Sequence, residues 1–160
     1  MLLLKRFLAL AFSFCALQAL PALNASDLED LIITKGSPYT LEETCQRVSS
    51  KCYSVGFQLL GSYPYNSKDG KQSSIVFLFK NEKLERALIQ QEALAALFLP
   101  FKLVVWQNDS KNTYVSYMLA SILEEVDILE DESILNQITK EIEHLTDEIT
   151  FAPLPNRELS

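Results

Sequence analysis

The chain has one histidine, four glycines, three cysteines and one tryptophan in 160 residues. Each scarcity excludes something. With His144 alone, a metal site built from several imidazoles is ruled out and a Ser-His-Asp triad becomes improbable. His144 falls between Glu143 and Leu145, off the apolar stripe, so it is expected on a solvated face. The glycines form neither a P-loop nor a G-x-G-x-x-G turn, and nothing else in the chain is built to cradle a phosphate. No C-x-x-C pair is present. The net charge is −7, with no basic patch to meet phosphate, so nucleic acid is excluded as a partner. Glu124-Glu125 and Glu130-Asp131-Glu132 lack the ligand spacing of a calcium loop and are expected to be solvated. The residues supply no catalytic constellation and call for no cofactor or metal.

What is present begins with an export signal. Lys5 and Arg6 precede an almost wholly apolar run, Phe7 to Leu20, which Pro21 and small residues follow. About 14 residues fall short of the ~20 that span a bilayer. Residues 1–25 therefore predict a cleavable signal peptide cut after Ala25, and a periplasmic protein with no membrane attachment once the signal is removed. Phe12-Ser13-Phe14 before Cys15 argues against a lipoprotein. Asn24-Ala25-Ser26 and Asn108-Asp109-Ser110 match the glycosylation tripeptide, which matters only in a eukaryotic secretory route.

Residues 26–118 predict one α+β domain. Leu31–Thr34 reads as a strand. Thr40 and Glu43 form a capping box for a helix reaching about Ser54, with Gly56 placed for a left-handed stop. Phe57–Tyr65 is the second strand and Ile75–Phe79 the third. Asn81 is the N-cap of a helix whose stripe runs Leu84, Ala87, Leu88, Gln91, Leu94, Ala95, Phe98. Pro100 ends it by pushing Leu99 out of the α region. Phe101–Gln107 and Thr113–Met118 make a hairpin across turn residues 108–112. Phe101, Leu103 and Val105 share its inner face. Gln91, polar within an apolar stripe, is expected to need a buried partner. Tyr63, Tyr65, Trp106 and Tyr114 are expected to be core, with an apolar pocket as the alternative.

The order is β-α-β-β-α-β-β-α with a further C-terminal amphipathic helix. Five strands form a mainly antiparallel sheet with helices on one face. Residues 119–160 carry eleven acidic and two basic side chains, whereas residues 26–118 balance at ten of each. Two apolar stripes run through this extension: Leu119 to Val126, then Ile134, Leu135, Ile138, Ile142, Leu145 and Ile149. They predict helices packed on or beside the domain. The sharper alternative is a protein partner or homodimer held through residues 119–149.

The segments Leu78 to Leu84, Leu88 to Gln90, Leu94 to Pro100, Val104-Val105-Trp106 and Val115-Ser116-Tyr117 resemble the domain of unknown function 302 family. That resemblance covers roughly residues 31–119 and implies a small α+β domain with no settled biochemical activity. Where the family pattern has Asn-Pro, Gly-Thr, a mid-helix Asn-Pro and a final Asn, this chain has Asn81-Glu82, Glu85-Arg86, Glu92-Ala93 and Met118. The retained polar residues Asn81, Lys83, Gln90, Ser116 and Tyr117 are the candidate binding residues. The expected function is that of a small exported binding or accessory protein, acting through ligand or partner contacts. The alternative is a thiol- or metal-dependent redox protein using Cys45 and Cys52. In an unbroken helix their Cα atoms lie about 10 Å apart, beyond the ~7 Å a disulfide tolerates. Two core-facing thiols are the plainer expectation, with the disulfide and redox readings left open.

Overall fold

The computed structural model describes residues 29–67 and 73–152. The signal peptide with its cut after Ala25, Cys15, the tripeptide at Asn24 and the terminal prolines all lie outside those residues. A five-stranded sheet in the order β1-β5-β4-β3-β2 forms the centre, every pairing antiparallel. Its strands are β1 (Ile32–Ser37), β2 (Gln58–Asn66), β3 (Ser73–Lys80), β4 (Phe101–Gln107) and β5 (Thr113–Met118). The helices are α1 (Leu41–Lys51), α2 (Glu82–Gln91), the single turn α3 (Ile122–Glu125) and α4 (Glu132–Thr150). Short 3₁₀ segments come after α1 at Cys52–Val55 and after α2 at Ala93–Phe98. The α+β order and the antiparallel sheet agree with the sequence reading.

Local chemistry sets several boundaries. Thr40 Oγ1 accepts from Glu43 N at 3.2 Å, and Thr40 N donates to Glu43 Oε2 at 2.9 Å, closing the capping box. Those bonds hold the Glu43 carboxyl below its ordinary value. Gly56 adopts φ 83° and ends the turn after α1, a conformation that costs glycine little. Asn81 accepts from Leu84 N at 3.2 Å at the head of α2. Pro64 is tolerated in β2 because β2 is an edge strand.

Three expectations need correction. The central helix is not continuous to Leu99: Glu92 is extended, at φ −150° and ψ 123°, and its side chain accepts from Leu94 N at 3.0 Å. The break turns the chain away from the helical stripe, so Gln91 and Leu94 are exposed and Gln91 needs no buried partner. Leu99 is extended before Pro100, as expected. In β2 a bulge between Leu59 and Gly61 changes the parity of the strand. Tyr63 thus faces away from Leu59, which packs on the core. The stripe from Leu119 to Val126 yields only the one turn of α3, and Val126 is exposed.

The core lies on one side of the sheet. Phe77, Phe79, Phe101, Leu103, Val105, Val115 and Tyr117 point into it and are buried. Helix α4 completes it: Ile138 and Ile149 are fully buried, and Ile134, Leu135, Ile142 and Leu145 nearly so. Its C-terminal carbonyls are held by Arg47, whose guanidinium donates to Ile149 O at 2.5 Å, Glu148 O at 2.8 Å and Phe151 O at 3.1 Å. The α4 stripe is therefore occupied within the chain, and only its acidic outer face is free to meet a partner. Among the described residues, no helix lies over the opposite side of the sheet.

Candidate functional site

One end of the sheet carries a cleft. The register brings Ile32 opposite Met118 and Leu103 opposite Tyr117, so the start of β1, the start of β4 and the end of β5 share a rim. The break at Glu92 sends the 3₁₀ segment toward that rim, where Ala95 is buried and Phe98 stands edge-on to Phe101, centroids 6.1 Å apart. The cleft between them has a volume of about 360 Å³. Phe101, Leu103, Tyr117 and Ile142 of α4 line it from the core side; Ile32, Val104, Ser116 and Met118 belong to the open face. Leu97 and Phe98 form a further wall, and Lys102 is the sole charged lining residue.

Its polar groups are few and differently placed. Ser116 Oγ accepts from Trp106 Nε1 at 2.9 Å and lies 2.8 Å from Thr34 Oγ1. Tyr117 is buried, and its hydroxyl has no hydrogen-bond partner among the described residues. Burial pushes its ionisation up to about 12, with the charges of Glu143 and Asp147 adding to the effect. Lys35 Nζ lies 5.8 Å from the Tyr117 ring centroid while bonding Asp147 at 2.6 Å. Lys102 is exposed and forms no ion pair among the described residues. The arrangement can desolvate an apolar body and offers a few hydrogen-bonding groups. It has no nucleophile paired with a base, and among the described residues no group of three or more metal-ligating side chains occurs.

The five candidate binding residues divide. Ser116 and Tyr117 line the cleft. Asn81 and Lys83 border a shallower hollow beyond the end of β3, with Tyr53, Phe57 and Lys80. Asn81 is occupied as a cap there. Gln90 is exposed on α2 and lines neither. Sequence reasoning missed Leu97, Met118, Lys102 and Ile142. The signal for Leu97 was there: the family pattern breaks its helix with Asn-Pro where this chain has Glu92-Ala93.

Cys45 and Cys52 are both free. Cys52 sits at the C-terminus of α1, fully buried, and its Sγ donates to Ser49 O at 3.4 Å. Burial raises both thiol pKa values, that of Cys45 to about 11. A redox nucleophile needs the opposite shift. His144 is exposed on α4, as expected.

No curated protein matches the sequence. The chain is similar to a solved structure of an uncharacterized conserved protein DUF302 from Bacillus stearothermophilus, with a TM-score of 0.68 at 19% identity. The match covers 74% of this chain and 98% of that one. The family model described as Domain of unknown function DUF302 matches residues 33–149, taking in α4, which the sequence reading had set apart as an extension. With that span matched and the sheet, helices and closing α4 in place, the chain belongs to the DUF302 family.

Proposed function

We propose that the protein is a small exported binding protein that takes an apolar molecule with an anionic end in the cleft at the sheet's rim. The single observation that carries this reading is the cleft itself. At about 360 Å³ it falls within the range of small-molecule sites, and hydrophobic side chains dominate its walls. Burial of a ligand's apolar body supplies the affinity at roughly 25 cal/mol per Å². Lys102, unpaired within the described residues, is the natural counter-charge for a carboxylate. Lys5-Arg6 followed by Phe7 to Leu20 supports the export part of this reading, with a bacterial periplasm as the proposed compartment. N-terminal sequencing of the mature chain reads that step, with Ser26 expected first.

The test uses anilinonaphthalene sulfonate as a fluorescent probe, displaced by decanoate and by decanol. Saturable probe binding is expected, with decanoate the better competitor. Leu97 is 76% exposed, so Leu97→Asp leaves the core intact. It is expected to weaken binding at least tenfold, about 1.4 kcal/mol. Lys102→Glu is expected to remove the preference for decanoate over decanol. Absence of saturable binding, or equal affinity in Leu97→Asp, contradicts the reading.

A further inference from the structure

We infer that the open face of the sheet is the contact surface for a second copy of this chain, two sheets packing face to face as an isologous dimer. Among the described residues, the side without a helix presents Val76, Leu78, Val104, Trp106 and Tyr114, each partly exposed, and Met118, which is exposed. A contiguous apolar face of this kind marks a contact surface. Five strands spaced ~4.8 Å apart and about 20 Å long cover roughly 480 Å² in projection. Upright side chains expose more than that, so the face is of the same order as the ~800 Å² per partner of a standard interface.

Several polar groups of this face are already paired within it, Lys102 excepted, so covering them strands few donors. Trp106 Nε1 donates to Ser116 Oγ, and Ser116 pairs with Thr34. The Trp106 and Tyr114 rings stack at 4.6 Å, and the Tyr114 hydroxyl accepts from Asn108 Nδ2 at 3.5 Å. Ser74 Oγ donates to Tyr65 O at 3.3 Å. Desolvation is costly chiefly where polar groups lose water without replacement, and here the replacements are built in.

Charge selects the occupant. The acidity of the chain lies in residues 119–160, and α4 carries much of it on the helical side. Two copies meeting through that side would repel. The sheet face has little charge: Lys80 at the end of β3 is paired with Glu82 at 2.8 Å, and Lys102 stands at the rim. With the two sheets antiparallel about a two-fold axis, the two Lys102 residues lie at opposite ends of the contact. The sheets would sit ~10 Å apart with strands within about 30° of each other.

Sedimentation velocity on the full chain at concentrations from about 1 to about 100 µM tests this, a range that brackets the micromolar affinities of weak interfaces of this size. A concentration-dependent dimer is expected. Val76→Glu, at the centre of the face and outside the cleft, is expected to weaken it at least tenfold. Tyr63→Glu, half-exposed on β2, is a second variant that leaves the core untouched, with circular dichroism reporting its fold. A wild-type monomer at the highest concentration overturns the proposal, as does an unchanged dimer in either folded variant. Val76 pairs with the cleft residue Val104, so the control is Tyr63→Glu on edge strand β2: at about 1 µM, where the chain is expected to be monomeric, its probe binding stays as in wild type. Loss of the dimer is thereby separable from loss of the ligand site.

Discussion

Cys45 is half-buried on α1 with burial alone pushing its thiol up to about 11, and Cys52 is fully buried beneath the same helix. A raised thiol pKa keeps the neutral form at about pH 7 to 8, so the thiolate fraction climbs about tenfold per pH unit toward that value. Iodoacetamide should label Cys45 slowly near neutral pH and faster with each unit of pH, and should label Cys52 only after unfolding. Fast labelling at neutral pH, or a reducible bond joining the two, would restore the redox alternative. At this scale the sequence was most legible where the cause is local. Thr40 with Glu43, Asn81 and Gly56 act through near neighbours in the chain, and their roles were readable without knowing the fold. Tyr117 was picked as a binding candidate, but its burial and unpaired hydroxyl depend on α4 crossing it from far along the chain.

The five strands were legible as elements, and from β2 to β5 their ends fall within two residues of those expected. β1 runs on through Gly36 and Ser37 because β5 continues to pair with it there. The misreadings share a physical origin. Periodicity assumes an unbroken period, and a single extended residue at Glu92 or one extra residue near Leu60 resets it. Side chains beyond the reset change face, which is how Leu94 and Tyr63 were misplaced. Helix α4 was correctly seen as amphipathic; sequence alone could not say whether its stripe met the core or a partner. The core wins: α4 packs against β1, α1 and α2, and its apolar stripe is buried there. Ile138→Ala should therefore cost about 2–5 kcal/mol, the range for truncating a fully buried aliphatic side chain. Asn136→Ala on the exposed side should cost little. Urea denaturation reads both, and equal midpoints for Ile138→Ala and wild type would remove α4 from the core.

For the molecule as a whole, one asymmetry organises the rest. Helices close one face of the sheet and carry most of the acidity; the other face is left apolar, nearly uncharged and internally hydrogen-bonded. The cleft sits where the two sides meet at the rim, lined from both. Charge segregation was visible in the sequence as the contrast between residues 26–118 and 119–160. Helices on one face already implied an open side, but its apolar character was not legible, because Val76, Leu78, Val104 and Trp106 look like core residues in the sequence. Among the described residues no helix is long and apolar enough to cross a membrane.

Hydroxyl-radical footprinting read by mass spectrometry at low and high protein concentration tests this asymmetry most directly. The account predicts that Tyr117 and the α4 residues Ile138 and Leu145 stay unmodified throughout, while Tyr63, Trp106 and Met118 are oxidised in dilute solution and protected in concentrated solution. Oxidation of Ile138 and Leu145 alongside a permanently protected Trp106 would mean the helices cover the other face, contradicting the account.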